Sequence, residues 1–118
     1  GVLALRIGNV NERPLDLRRL AIMLHPEDLV QLVRIGLEHP AIGFEVLYGA
    51  SQSPRAWWDN ARARELGYRP KYDSEQFLAE AEAGQARTPA DPVGDYFQGG
   101  TFCSAEFTND LAQLQAKG

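Results

Sequence analysis

Apolar residues run almost without interruption through positions 2–7, Val2, Leu3, Ala4, Leu5, Arg6 and Ile7. The run lacks alternation and predicts a strand buried on both faces, the habit of a parallel sheet. Residues 8–19 mix Gly, Asn, Pro and Asp without a period and predict a loop leaving the carboxyl end of that strand. Residues 20–24 are a short apolar patch, a turn of helix or a buried loop. His25-Pro26-Glu27-Asp28 predicts a helix start, since Pro suits the first helical position and acids the first turn. Leu29, Leu32, Val33 and Leu37 follow on one side at helical spacing, and Glu38-His39-Pro40 ends the helix. Residues 43–49 predict a second strand with Phe44, Val46 and Tyr48 on one face and Glu45 and Leu47 on the other. Ser53-Pro54 predicts another helix carrying Trp57, Trp58, Ala61 and Leu66 inward, stopped by Gly67. Asp73 or Ser74 caps a shorter helix with Phe77, Leu78 and Ala81. Thr88-Pro89-Ala90-Asp91-Pro92 predicts a linker, and residues 109–116 a final helix.

Composition narrows the class. The chain has 118 residues, 44% apolar and 24% charged, which is globular and sufficient for one domain. A formal charge of -4 argues against a general nucleic-acid binder. No apolar run approaches a membrane span. A single cysteine, Cys103, and two histidines without an HExxH spacing argue against disulfides and a structural zinc. A reduced, cytoplasmic setting fits. The chain opens without Met on a strand that needs neighbours. It is therefore expected to be the carboxy-terminal piece of a larger α/β protein, the other reading being a small self-sufficient α/β core.

Open α/β sheets bind ligands beyond the carboxyl ends of their strands. The loop there carries Asn9 and Asn11 with Arg13, Arg18 and Arg19. Arginine forks and asparagine amides suit an anionic, hydroxyl-rich ligand. His25 is a possible acid or base, or simply the cap of its helix. Trp57 and Trp58 are adjacent and point differently, so one packs inward and the other seals the sheet edge. Cys103 has no neighbouring base and reads as inert. The chain contains no GxGxxG, no P-loop, no nucleophile elbow and no Tyr followed four residues later by Lys.

Arg6-Ile7-Gly8-Asn9-Val10-Asn11-Glu12-Arg13-Pro14 resembles the Arg-x-x-Asn-x-x-Gly-Pro segment of the extended short-chain dehydrogenases, the NAD-dependent epimerase/dehydratase family, with Arg13 in the Gly position. His25-Pro26-Glu27-Asp28 resembles that family's H-x-x-D helix start. Val46-Leu47-Tyr48-Gly49-Ala50-Ser51, Trp57-Trp58-Asp59-Asn60, Leu66-Gly67-Tyr68-Arg69-Pro70 and Phe97-Gln98-Gly99-Gly100-Thr101-Phe102 resemble one subgroup, the uronate dehydrogenases. The resemblance runs from residue 3 to residue 107 and covers only the carboxy-terminal part of such an enzyme.

The resemblance implies the C-terminal portion of an NAD-binding Rossmann-like fold, one substrate-binding part over residues 1–118 whose tail, residues 88–118, packs on the pocket. It implies that NAD is bound mainly by a preceding half, which also carries the catalytic Ser, Tyr and Lys and forms a homodimer. The reaction implied is oxidation of a uronic acid at C1 to an aldarolactone, with hydride passing to the nicotinamide. The 118-residue chain alone is then expected to be inactive. By the same resemblance, Asn9 holds a polar substrate-contacting position and Arg18 matches the arginine that clamps the uronate carboxylate. Phe102 lines the pocket, with Phe97 as the alternative. Asn9 stands where the subgroup often has Ser, which leaves the sugar acid open. Other readings are an NAD-dependent sugar epimerase or dehydratase, and a non-catalytic α/β fragment.

Overall fold

A computed structural model describes residues 1–118. The chain divides into two compact units, residues 1–88 and 89–118, and the break falls in the proline-flanked stretch predicted as a linker.

The first unit is built on two parallel strands, β1 (Val2–Ile7) and β4 (Phe44–Gly49), paired from Val2 opposite Phe44 to Ile7 opposite Gly49. Between them lie the two-residue strands β2 (Asn9–Val10) and β3 (Met23–Leu24), a four-residue helix α1 (Leu17–Leu20) and the long helix α2 (Pro26–Glu38). β2 and β3 form a second parallel pair. The apolar patch expected as a loop or helical turn thus contains β3, and all of residues 20–24 are buried.

The start of α2 follows from its sequence. The His25 ring Nδ1 accepts from the Glu27 amide at 3.2 Å, and Pro26 takes the first helical position, where no amide is needed. The inward stripe differs from the expected one. Leu32 is buried, with Leu29 and Ile35 packed on the same core, while Val33 and Leu37 are exposed. Those two stand roughly 100° and 140° round the helix from Leu32, so the face centred on Leu32 meets the sheet instead. Gly36 permits the close approach: a Cβ there would lie 2.8 Å from the Leu3 side chain.

The core joins Leu24, Leu32, Leu47, Ala63, Leu66 and Tyr68. It covers one face of the β1–β4 pair. Phe44, Val46 and Tyr48 share the other face, as the alternation predicts, and there Phe44 is 72% exposed. The expectation that β1 is buried on both faces is therefore corrected. β1 has one strand neighbour, β4, and Val2 and Ile7 remain exposed.

The helix expected from Ser53-Pro54 does not form there. A turn closed by the Ala56 amide on the Ser53 carbonyl leads instead to α3 (Ala61–Glu65), which begins after Asn60. Gly67 follows with φ of 101°, the left-handed stop its position predicts. Asp73 caps a 3-10 turn, Ser74–Phe77, through a capping box with Gln76, and α4 (Leu78–Ala86) continues from it.

The second unit holds α5 (Pro92–Tyr96), α6 (Thr101–Ser104) and α7 (Leu111–Lys117). Asp91 caps α5 by accepting from the Gly94 amide at 2.9 Å, and its other oxygen accepts from the Ser104 hydroxyl at 2.8 Å. Phe97 packs edge-on against Tyr96 and at a tilt against Phe107. No helix of the chain is long and apolar enough to cross a membrane.

Candidate functional site

Two connections leave the carboxyl ends of the parallel strands. One follows β1 and carries Asn9 and α1; the other follows β4 and carries Trp57 and Trp58. This is the end at which an open parallel sheet binds ligands.

Asn9 opens β2, half-buried, with its amide donating to the Ile22 carbonyl at 2.8 Å; that bond leaves its side chain available for other contacts. Arg18 sits in the middle of α1. Its guanidinium carbon lies 5.1 Å from the centre of the Trp57 ring, a cation–π contact. Arg19 is engaged differently. Asp16 caps α1 by accepting from the Arg19 amide at 2.9 Å, and its second oxygen pairs with the Arg19 guanidinium. Arg13 pairs with Glu80 at 2.8 Å, and its amide donates to Asn11. Of the three arginines in this loop, Arg13 and Arg19 are committed to carboxylates of the chain, and Arg18 lies over an aromatic ring. Phe102 stands in the second unit, on α6, 91% exposed.

The tryptophan pair divides its work. Trp58 stacks on Tyr48 at 5.2 Å, and Arg6 lies over the other part of that stack, 5.3 Å from the Tyr48 ring. Asn60 donates from Nδ2 to the Ala50 carbonyl at 3.1 Å, which ties the end of this connection to the end of β4.

A buried polar cluster supports the same end of the sheet, and the sequence did not reveal it. Asp28, fully buried in the first turn of α2, accepts from the Ser51 hydroxyl at 2.5 Å, the Lys71 amide at 2.7 Å and the Tyr72 amide at 3.3 Å. Ser51 in turn accepts from the His25 amide at 2.9 Å. The His25 ring stacks on Tyr72 with centroids 3.5 Å apart. His25 is thus a cap and a packing surface, the blander of its two readings. Around it, Lys71 holds the Glu27 carboxyl below its usual range by a 2.8 Å bond, while burial and Glu27 raise the Tyr72 phenol. Burial and the nearby Asp28 raise the Tyr68 phenol, so it stays protonated and donates to Ala50 at 2.7 Å.

A pyrophosphate cradle needs glycines open to a ligand at a strand end. Gly8 and Gly49 stand at such ends, but a Cβ on Gly8 would lie 2.1 Å from the Ile22 carbonyl oxygen, and one on Gly49 would lie 3.2 Å from Leu24. The chain's own atoms fill both places, so these residues do not fit the phosphates of NAD. No group of three or more His, Cys, Asp or Glu side chains could hold a metal ion.

Parallel strands with helices in their crossovers make this a Rossmann-like α/β fold, and solved structures agree. The chain superposes on uronate dehydrogenase from Agrobacterium tumefaciens, as a mutant complexed with NAD, with a TM-score of 0.76 at 33% identity, covering 86% of this chain and 38% of that one. It superposes on glucuronic acid dehydrogenase from Chromohalobacter salexigens with a TM-score of 0.75 at 34% identity, over the same shares of 86% and 38%. In sequence, the uronate dehydrogenase of Pseudomonas putida is 45% identical over 102 residues, 86% of this chain and 38% of the relative. No family model matches. The chain is related to the uronate dehydrogenases in sequence and in fold, and it spans little more than a third of their length.

Proposed function

We propose that this chain is the substrate-binding, carboxy-terminal part of an NAD-dependent uronate dehydrogenase that oxidises uronic acids at C1 to aldarolactones. The observation that carries the reading is the placement of Arg18. It stands in the connection from the carboxyl end of β1, against a tryptophan in the connection from the carboxyl end of β4. A guanidinium fork in that place suits a carboxylate gripped through two parallel hydrogen bonds. Such a grip fixes both the position and the orientation of the sugar ring.

In this reading Asn9 offers an amide to a sugar hydroxyl. NAD is held mainly by polypeptide outside these residues, as are the groups that move the proton. The complete enzyme is a cytoplasmic homodimer whose partners are its uronic acid substrate and its cofactor, not nucleic acid or membrane.

The test is expression of the whole reading frame around this segment beside the 118-residue chain, each assayed for NAD reduction with galacturonate and glucuronate. Turnover by the longer polypeptide and none by the 118-residue chain is the expected result. A longer polypeptide that reduces NAD with neither acid, or turnover by the short chain, overturns it.

A further inference from the structure

We propose that the open face of the β1–β4 pair is the seat of an amphipathic helix from the remainder of the same polypeptide, and that this helix sets a carboxylate against Arg6. The proposal rests on the reading of the chain as one part of a longer dehydrogenase, and it adds the surface on which the parts meet.

The register of the two strands composes this face. Val2, Ala4 and Arg6 stand opposite Phe44, Val46 and Tyr48, and laterally paired residues of parallel strands point to the same side. On the other side the core is built by Leu32 of α2 and Ala63 of α3 against Leu47. On the open side Phe44 is 72% exposed, Val2 55% and Val46 49%, and the three are neighbours. Parallel sheets are ordinarily covered by helices on both faces. Six residues in each strand, at about 3.3 Å each, make a strip roughly 20 Å long, the length of about thirteen residues of helix. Two strands about 4.8 Å apart, with their side chains, match the roughly 10 Å width of a single helix.

The strip is apolar at its amino end and cationic at its carboxyl end. The Arg6 guanidinium lies 5.3 Å from the centre of the Tyr48 ring and 3.5 Å from its hydroxyl, and it meets no carboxylate of this chain. A helix crossing back over parallel strands runs antiparallel to them, so its first turn lies over their carboxyl ends. Acids are favoured in a first turn, so the charge that suits the helix also suits Arg6. A second copy of the chain fits less well. A symmetric pairing would offer only this same face, which holds no acid, and both guanidiniums would lack a counter-charge. Polypeptide to cover the face is ample, since more than half of each related dehydrogenase lies outside the span that this chain matches.

The experiment uses the complete polypeptide with the photo-reactive p-benzoylphenylalanine at position 44, where it keeps the aromatic ring of Phe44. Irradiation followed by peptide mapping is expected to join position 44 to a helical peptide of the same polypeptide, outside these 118 residues. A product of doubled mass, a link to residues 89–118, or no link overturns the proposal. Phe44→Glu should lower the Tm of the complete protein by roughly 5–15 °C, because it places an unpaired charge under the helix. An unchanged Tm means the face is open and also overturns it. Arg6→Glu should lower the Tm more than Arg6→Met, since it opposes the carboxylate instead of only losing it; equal effects overturn the charge pairing. Should Phe44→Glu fail to fold, the cross-link decides. Galacturonate turnover by the unmodified polypeptide reports on the dehydrogenase reading separately. The expected cross-link in an inactive protein keeps this inference and removes that reading, and an active protein without the cross-link does the reverse.

Discussion

Removing the carboxylate of Asp28 should loosen the end of the sheet that carries the candidate site. Asp28 is fully buried and accepts from Ser51 at 2.5 Å, Lys71 at 2.7 Å and Tyr72 at 3.3 Å. Asp28→Ala leaves two backbone amides and a hydroxyl without an acceptor. A buried orphaned donor costs about 1–3 kcal/mol, and the Tyr72 bond is long and counts least. The expected loss is about 3–5 kcal/mol, also the range for breaking one side of a buried charged group. Asp28→Asn should cost less, about 1–3 kcal/mol, because one oxygen survives while the new amide N–H faces a donor. Equilibrium urea unfolding measures the total, and hydrogen exchange at the Lys71 and Tyr72 amides locates it. A loss under about 1 kcal/mol for Asp28→Ala, or unchanged protection of those two amides, would refute the argument.

Other outcomes follow from single contacts. Tyr68→Phe should cost only about 0.5–1.5 kcal/mol in urea, because the Ala50 carbonyl it leaves still accepts from Asn60 at 3.1 Å; a cost like that of Asp28→Ala would mean the hydroxyl has a further role. Gly84→Val should destabilise severely, by more than about 2 kcal/mol, since a Cβ on α4 there would meet the Leu15 carbonyl oxygen at 1.9 Å; a Tm within a degree or two of the parent would contradict the packing. The Glu27 and Lys71 pair should give a weak, salt-sensitive acid limb. The folded Glu27 carboxyl is held below its usual value by Lys71, so its contribution is present above that value and is lost as pH falls below it. Glu27→Gln should flatten that limb in urea midpoints taken at low salt, and an unchanged slope would show that other carboxylates set it.

The elements that the sequence disclosed are those with local causes. His25-Pro26 and Asp73 carry their own caps, Gly67 its own backbone geometry, and the alternation of Phe44, Val46 and Tyr48 its own face. What remained hidden depends on distant partners. Asp28 reads as an acid suited to a helix start, but two of its donors, Lys71 and Tyr72, lie 43 and 44 residues away. Ser53-Pro54 has the signals of a helix, yet the chain there forms a turn, and the two indoles meet separate partners distant in sequence, Tyr48 and Arg18. Val33 and Leu37 fit a helical stripe as well as Leu32 does, and only the position of the sheet decides which side turns in. In the candidate site, three arginines were equivalent by residue type. Their contacts differ in the structure: Arg13 pairs with Glu80, Arg19 with Asp16, and Arg18 lies over the Trp57 ring.

The most direct test of the account compares Arg18→Met with Arg19→Met in the complete enzyme on galacturonate. Arg18→Met should lose roughly 2–5 kcal/mol in kcat/KM, the range for removing one partner of a buried charged pair, while the affinity for NAD barely moves. Arg18→Lys should recover only part, because a point charge does not reproduce the fork. Arg19→Met, whose parent side chain is occupied by Asp16, should change kcat/KM far less. If Arg19→Met is the damaging variant, or if Arg18→Met costs less than about tenfold, the carboxylate is held elsewhere and the account is contradicted.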